Sequence, residues 1–135
     1  AKLSPTGKSL VFSSYLGGFD TDLAFGVAVR DDGVIAVTGR TQSTDFPLKG
    51  AVQKSRQGSQ DAFVVLIPEK GMSLLFSTYL GGSLAEASEG VTFDAEGRVL
   101  ATGYTSSLNF PFKDGVQAAF SGGSWDSFVT RYQVK

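Results

Sequence analysis

Between Leu10 and Leu16 the side chains alternate, with Leu10, Phe12, Ser14 and Leu16 on one side and Val11, Ser13 and Tyr15 on the other. A period of two carried by aromatic and β-branched residues predicts a strand, which Gly17-Gly18 ends. Upstream, Ala1 to Leu3 reads as the end of another strand and Ser4-Pro5-Thr6-Gly7-Lys8 as a turn, Pro presetting φ and Gly supplying a positive one. Downstream, Gly26-Val27-Ala28-Val29 and Val34 to Thr38 are short, small and apolar, and Asp31-Asp32-Gly33 between them is a hairpin signal. Arg40 to Gln60 is a long connection without a sustained helical period. Asp61 to Ile67 is again a strand, Pro68-Glu69-Lys70-Gly71 a turn, and Ser73 to Leu80 a further strand.

The first alternating segment then proves to be one of two copies. Phe12-Ser13-Ser14-Tyr15-Leu16-Gly17-Gly18 returns as Phe76-Ser77-Thr78-Tyr79-Leu80-Gly81-Gly82, a step of 64 residues. At the same step Gly90 to Phe93 matches Gly26 to Val29, Glu96-Gly97 matches Asp32-Gly33, Thr102-Gly103 matches Thr38-Gly39, and Phe110-Pro111 matches Phe46-Pro47. One inserted residue between Ser121 and Trp125 moves the last strand, Asp126 to Tyr132, to a step of 65 from Asp61. Such a period means that one supersecondary unit has been copied and that its copies bury apolar faces against each other.

The unit holds four short antiparallel strands, which predicts an all-β fold of β-propeller blades. Small residues belong where blades crowd the central channel, so Gly26 to Val29 is the innermost strand and Ser73 to Leu80 the outermost. The chain is then a single two-blade module. Residues 1–18 supply the end of a third strand and an outermost strand, 19–82 a full blade, and 83–135 the first three strands of the next. Several motifs in fixed order, Asp61-Ala62-Phe63-Val64, Phe76 to Gly82, Gly90-Val91-Thr92, Thr102-Gly103-Tyr104-Thr105-Ser106-Ser107 and Phe110-Pro111, resemble the SBBP-type β-propeller repeat over essentially the whole chain. The resemblance implies a propeller without catalytic residues, commonly in secreted or envelope-associated bacterial proteins. Ser83-Leu84-Ala85-Glu86 departs from the more acidic, glycine-rich loop usual in that family.

Two blades cannot close a ring, which takes four or more. The outermost strand at the N-terminus has no blade of its own, and the last blade has no outermost strand. The expected partner is therefore the chain itself, in a heterologous contact that gives six blades from three chains or eight from four. The alternative is a piece of a longer protein with flanking blades, and a start at Ala1 without an initiating Met reads as an excised or processed piece. Residues 130–135 repeat the register of residues 1–6, so each junction carries surplus strand and one copy should fray or be displaced.

Composition narrows the chemistry. The 135 residues contain no Cys and no His, which removes imidazole catalysis and the common zinc, haem and thiolate sites. Twelve basic against thirteen acidic residues give a charge of −1, no field for nucleic acid, and no apolar run is long enough to span a membrane. Thr6-Gly7-Lys8-Ser9 imitates the end of a phosphate-binding loop, but a strand follows where a helix is needed.

Because consecutive strands alternate direction, the segments Phe19 to Phe25 and Ser83 to Glu89 share a rim with the long connections. Asp20, Asp22, Glu86 and Glu89 are candidate oxygen ligands there, suited to calcium, with solvated loop carboxylates as the other reading. A carboxylate pair could also serve a glycosidase. Arg40 and Tyr104 occupy equivalent rim positions and could touch a ligand. Trp125 could stack on a sugar or cover a core edge. Phe46 and Phe110 read as plugs that fasten the long connections. The leading expectation is a non-enzymatic scaffold or binding module without a cofactor. A calcium- or carbohydrate-binding propeller comes second and a hydrolase third.

Overall fold

The computed structural model describes residues 1–134 and contains nine strands and no helix among them. Lys135, the end of the surplus segment expected at 130–135, lies outside the described residues. The strands are β1 (Lys2–Leu3), β2 (Leu10–Phe12), β3 (Asp22–Val29), β4 (Ile35–Thr41), β5 (Asp61–Ile67), β6 (Phe76–Leu80), β7 (Glu86–Phe93), β8 (Val99–Thr105) and β9 (Asp126–Tyr132). They form a hairpin β1-β2, a four-stranded sheet β3-β4-β5-β6 and a three-stranded sheet β7-β8-β9, all antiparallel.

Two expectations about strand limits are corrected. The innermost strands begin four residues earlier than Gly26 and Gly90, at Asp22 and Glu86. A bulge between Ala24 and Gly26, repeated between Ser88 and Gly90, lets the ladder continue while breaking the period of two. The alternating segment Leu10 to Leu16 is a strand only to Phe12. An outer strand exists through the third strand beside it, and the two-residue β1 pairs no farther than Lys2 with Phe12. The turns hold: Gly33 and Gly97 close the β3-β4 and β7-β8 hairpins at φ 85° and 76°, where a side chain is strained.

The main core lies between the two sheets. Alternate residues of the first, Ala36, Val64, Leu66 and Phe76, meet Val99 and Ala101 of the second, with Ala28, Val91, Phe93 and Tyr132 packed around them. The central strand β5 is apolar on both faces. Its opposite face joins Phe63 and Val65 to Phe46 and Tyr79, and Leu16 packs against that cluster. Phe46 stacks on Phe63 and Phe110 on Phe128, each at 4.7 Å between ring centroids, so both long connections are fastened by an aromatic plug. At one edge of the sheet contact, Arg30 grips Asp32 through Nε and Nη2 at 2.9 and 2.8 Å. It also donates to the Gly97 carbonyl at 3.0 Å and lies over the Phe93 ring. That pairing, with the Val34 amide, lowers the Asp32 carboxyl to about 2.

Leu66 is 3% exposed in the inter-sheet core, so Leu66→Ala should lower stability by about 3 kcal/mol, read from the urea midpoint. Burial beside Phe76 pushes the Tyr132 hydroxyl from its ordinary 10.0 up to about 12. The folded chain holds that proton more tightly than the unfolded one, so this contribution to stability is complete below pH 10 and lost as the pH climbs towards about 12. Denaturation midpoints should fall across that window, and Tyr132→Phe should flatten the fall.

Candidate functional site

The rim segments are built by a device that occurs twice. After β6 the chain turns through Gly81-Gly82 into β7, and the turn is tied down by a carboxylate of the strand it enters. Glu86 Oε2 accepts the Gly82 amide at 3.0 Å, while Oε1 accepts the Thr105 and Ser107 hydroxyls at 2.7 and 2.5 Å. Ahead of β3 the same turn is Gly17-Gly18. Asp22 Oδ2 accepts the Gly18 amide and the Ser43 hydroxyl, both at 2.8 Å. The first glycine of each pair is a close-approach position: a Cβ at Gly17 would lie 2.5 Å from Asp22 Oδ2, and one at Gly81 2.6 Å from Glu86 Oε2. The next amides continue the pattern. Phe19 N donates to Asp45 Oδ1 and Asp20 N to Ser43 Oγ, as Ser83 N does to Asn109 Oδ1 and Leu84 N to Ser107 Oγ.

This geometry corrects the placement of two candidate ligands. Asp22 and Glu86 stand on strands, not in rim loops, and Glu86 is 0% exposed. Glu86 directs both oxygens, and Asp22 one, at protein donors. Asp22 is one methylene shorter and leaves its Oδ1 without a partner, where Glu86 collects a second hydroxyl. Asp20 and Glu89 are exposed. Among the described residues no three acidic side chains stand close enough to hold a metal.

Arg40 and Tyr104 do occupy equivalent places, and each is paired with the residue before its third strand. Arg40 Nη1 donates to Gln60 Oε1 at 3.1 Å and lies over Phe25. Tyr104 meets Trp125 edge to face at 4.8 Å, and Trp125 remains 49% exposed. Gln60 reaches across to donate to the Glu86 carbonyl. The cleft between the sheets, about 270 Å³, lies away from these residues, among Ala28, Arg30, Asp31, Phe93 and Asp94.

A second cluster, not singled out among the sequence candidates, holds the outermost strand. Tyr79 is 1% exposed; its hydroxyl donates to the Ser43 carbonyl at 2.8 Å and accepts the Phe46 amide at 3.1 Å. Asp61, fully buried, accepts the Gln57 and Gly58 amides and Gln53 Nε2, yet burial outweighs these bonds and raises its carboxyl above the usual range. The signal was available, because Ser43 and Ser107, Phe46 and Phe110, and Gln53 and Gln117 recur at the 64-residue step.

Two antiparallel sheets stacked face to face, each entered by the same tied glycine turn, make an all-β repeat architecture. Residues 75–111 match the family model of the SBBP beta-propeller repeat, from the outermost strand of one sheet through two strands of the next to Phe110-Pro111. No curated protein matches the chain.

Glu86→Ala strips the acceptor from one buried amide and two hydroxyls and should cost about 3 kcal/mol, whereas Asp22→Glu, which can reach the Thr41 hydroxyl as Glu86 reaches Thr105, should gain about 1 kcal/mol. Thermal melts of the two variants check both signs.

Proposed function

We propose that the chain is a non-enzymatic propeller scaffold or binding module, completed when copies of it supply each other's missing strands in a ring of three or four chains. The carrying observation is the inequality of its sheets. The first has four strands and the second three, while the counterpart of the fourth strand, residues 12–16, stands at the other end of the chain. The faces left open agree with this. Val27, Val29 and Val129 are exposed, although their counterparts Val91 and Phe93 pack at the inter-sheet core and Val64 is fully buried in it. Val27 and Val29 lie on the outer face of the first sheet and Val129 on that of the second, and exposed apolar faces of this kind mark interaction sites. The SBBP resemblance supports work outside the cytoplasm, in secreted or envelope-associated form, and flanking repeats of a longer chain would close the ring by the same contacts.

The scaffold reading gains over the calcium reading because Asp22 and Glu86 are engaged by amides and hydroxyls. Native mass or sedimentation velocity tests it. A species of three or four chains is expected, and a stable folded monomer at micromolar concentration would remove the assembly.

A further inference from the structure

We propose that Asp114-Gly115 is a modification site, where the aspartyl bond isomerises through a cyclic imide to an isoaspartyl bond, and that the fold shields the chain's other Asp-Gly pair, Asp32-Gly33, from the same reaction. The reactants are the chain and water alone. The Gly115 nitrogen attacks Asp114 Cγ, the new C–N bond closes a five-membered ring, and the carboxyl hydroxyl leaves with the amide proton as water. Water then reopens the ring. Addition at Cγ restores aspartate, whereas addition at the backbone carbonyl carbon runs the main chain through Cβ and Cγ and frees the α-carboxylate. Mass and charge end as they began.

Ring closure needs an un-ionised carboxyl that can lose water, a following nitrogen without a side chain to shield it, and a backbone free to bring the two together. The two Asp-Gly pairs meet these needs differently. At Asp32 both oxygens are engaged: Oδ1 accepts Arg30 Nε at 2.9 Å and the Val34 amide at 3.2 Å, and Oδ2 accepts Arg30 Nη2 at 2.8 Å. The Arg30 guanidinium, helped by the Val34 amide, holds the carboxyl at about 2 against an ordinary 3.8, so the un-ionised form is scarcer by about 60-fold. The nucleophile is engaged as well. The Gly33 amide donates to the Arg30 carbonyl at 2.8 Å within the β3-β4 hairpin.

None of these restraints acts at Asp114. It is exposed and takes part in no ion pair among the described residues. Gly115 is exposed too, and it stands where the first copy has Ala51, so its nitrogen lies beside a bare Cα. Asp114 is also the one residue other than glycine with a positive φ among the described residues, at 50°. That conformation is unfavourable for an L residue, and a main chain rerouted through Cβ is released from it.

The site does not depend on what lies against β9. Its counterpart in the first sheet, where the fourth strand is in place, is Gly50, which is exposed as well and has a φ of 58°. The bend therefore sets the left-handed conformation and keeps this position in solvent in a completed four-stranded sheet. The first copy answers it with glycine and has nothing to cyclise. The second answers it with aspartate followed by glycine.

The test is prolonged incubation of the full chain at mildly acidic pH and physiological temperature, followed by peptide mapping with fragmentation that separates aspartyl from isoaspartyl bonds. In the folded chain Asp114 should convert at least about 10-fold faster than Asp32, while in guanidinium, with the fold removed, the two should convert at similar rates. Asp114→Gly should remove the product and melt no lower than the wild type, because glycine already fills the equivalent position. A folded chain in which Asp114 stays as unconverted as Asp32 overturns the site. Equal conversion of both in the folded chain overturns the shielding by Arg30, and a gap between them that persists in guanidinium overturns the part assigned to the fold.

Discussion

The arrangement depends on a carboxylate beneath a pair of glycines. An outermost strand ends at the rim of one sheet, and the chain must turn at once into the innermost strand of the next. Three consecutive amides then have no strand partner, and each is given a side-chain acceptor. Glu86, Ser107 and Asn109 accept them at one turn, and Asp22, Ser43 and Asp45 at the other. The acceptors come from the strand being entered and from the long connection of the same sheet. The turn therefore fixes the outgoing strand relative to the sheet that follows it, and the spacing of sheets follows from a handful of hydrogen bonds.

That constraint explains why the apolar contacts can be modest. The facing surfaces are Ala, Val, Leu and Phe on strands already aligned by the turn, and small residues at Ala36 and Ala101 allow close approach. Arg30 closes one edge by bonding across to Gly97. The long connections, which would otherwise be loose, are fixed by the stacked phenylalanines and by Tyr79, whose hydroxyl serves a carbonyl and an amide of the connection at once.

Strand existence and order were legible because period-two alternation and the 64-residue repeat report the same unit twice. The beginnings of β3 and β7 were not, because a bulge just before Gly26 and Gly90 breaks the alternation that marks a strand. The rim carboxylates were misplaced for a related reason. An acid four or five residues after a glycine pair looks like a solvated turn residue, and the hydroxyls that engage Asp22 and Glu86 come from residues 19 and 21 positions away. The matching serines were visible in the repeat, but only the fold says what they touch. Phe46 and Phe110 were easier, since a large aromatic in a polar connection has few places to go besides the core.

The two sheets differ in the pair that stands just before the third strand of each. In the first, Arg40 holds Gln60, and the Gln60 amide reaches the Glu86 carbonyl of the second sheet. In the second, the counterparts are Tyr104 and Trp125, edge to face. Both members of the pair have changed together, so the contact between them is kept while its chemistry turns from polar to aromatic. An indole retains one N–H, the same donor capacity that Gln60 uses on Glu86. A surface that keeps one donor and gains a broad apolar ring suits a dry, specific neighbour better than solvent. The divergence therefore falls beside β9, at the strand that pairs with β8 alone among the described residues, while the serines, phenylalanines and glutamines of the long connections stay the same.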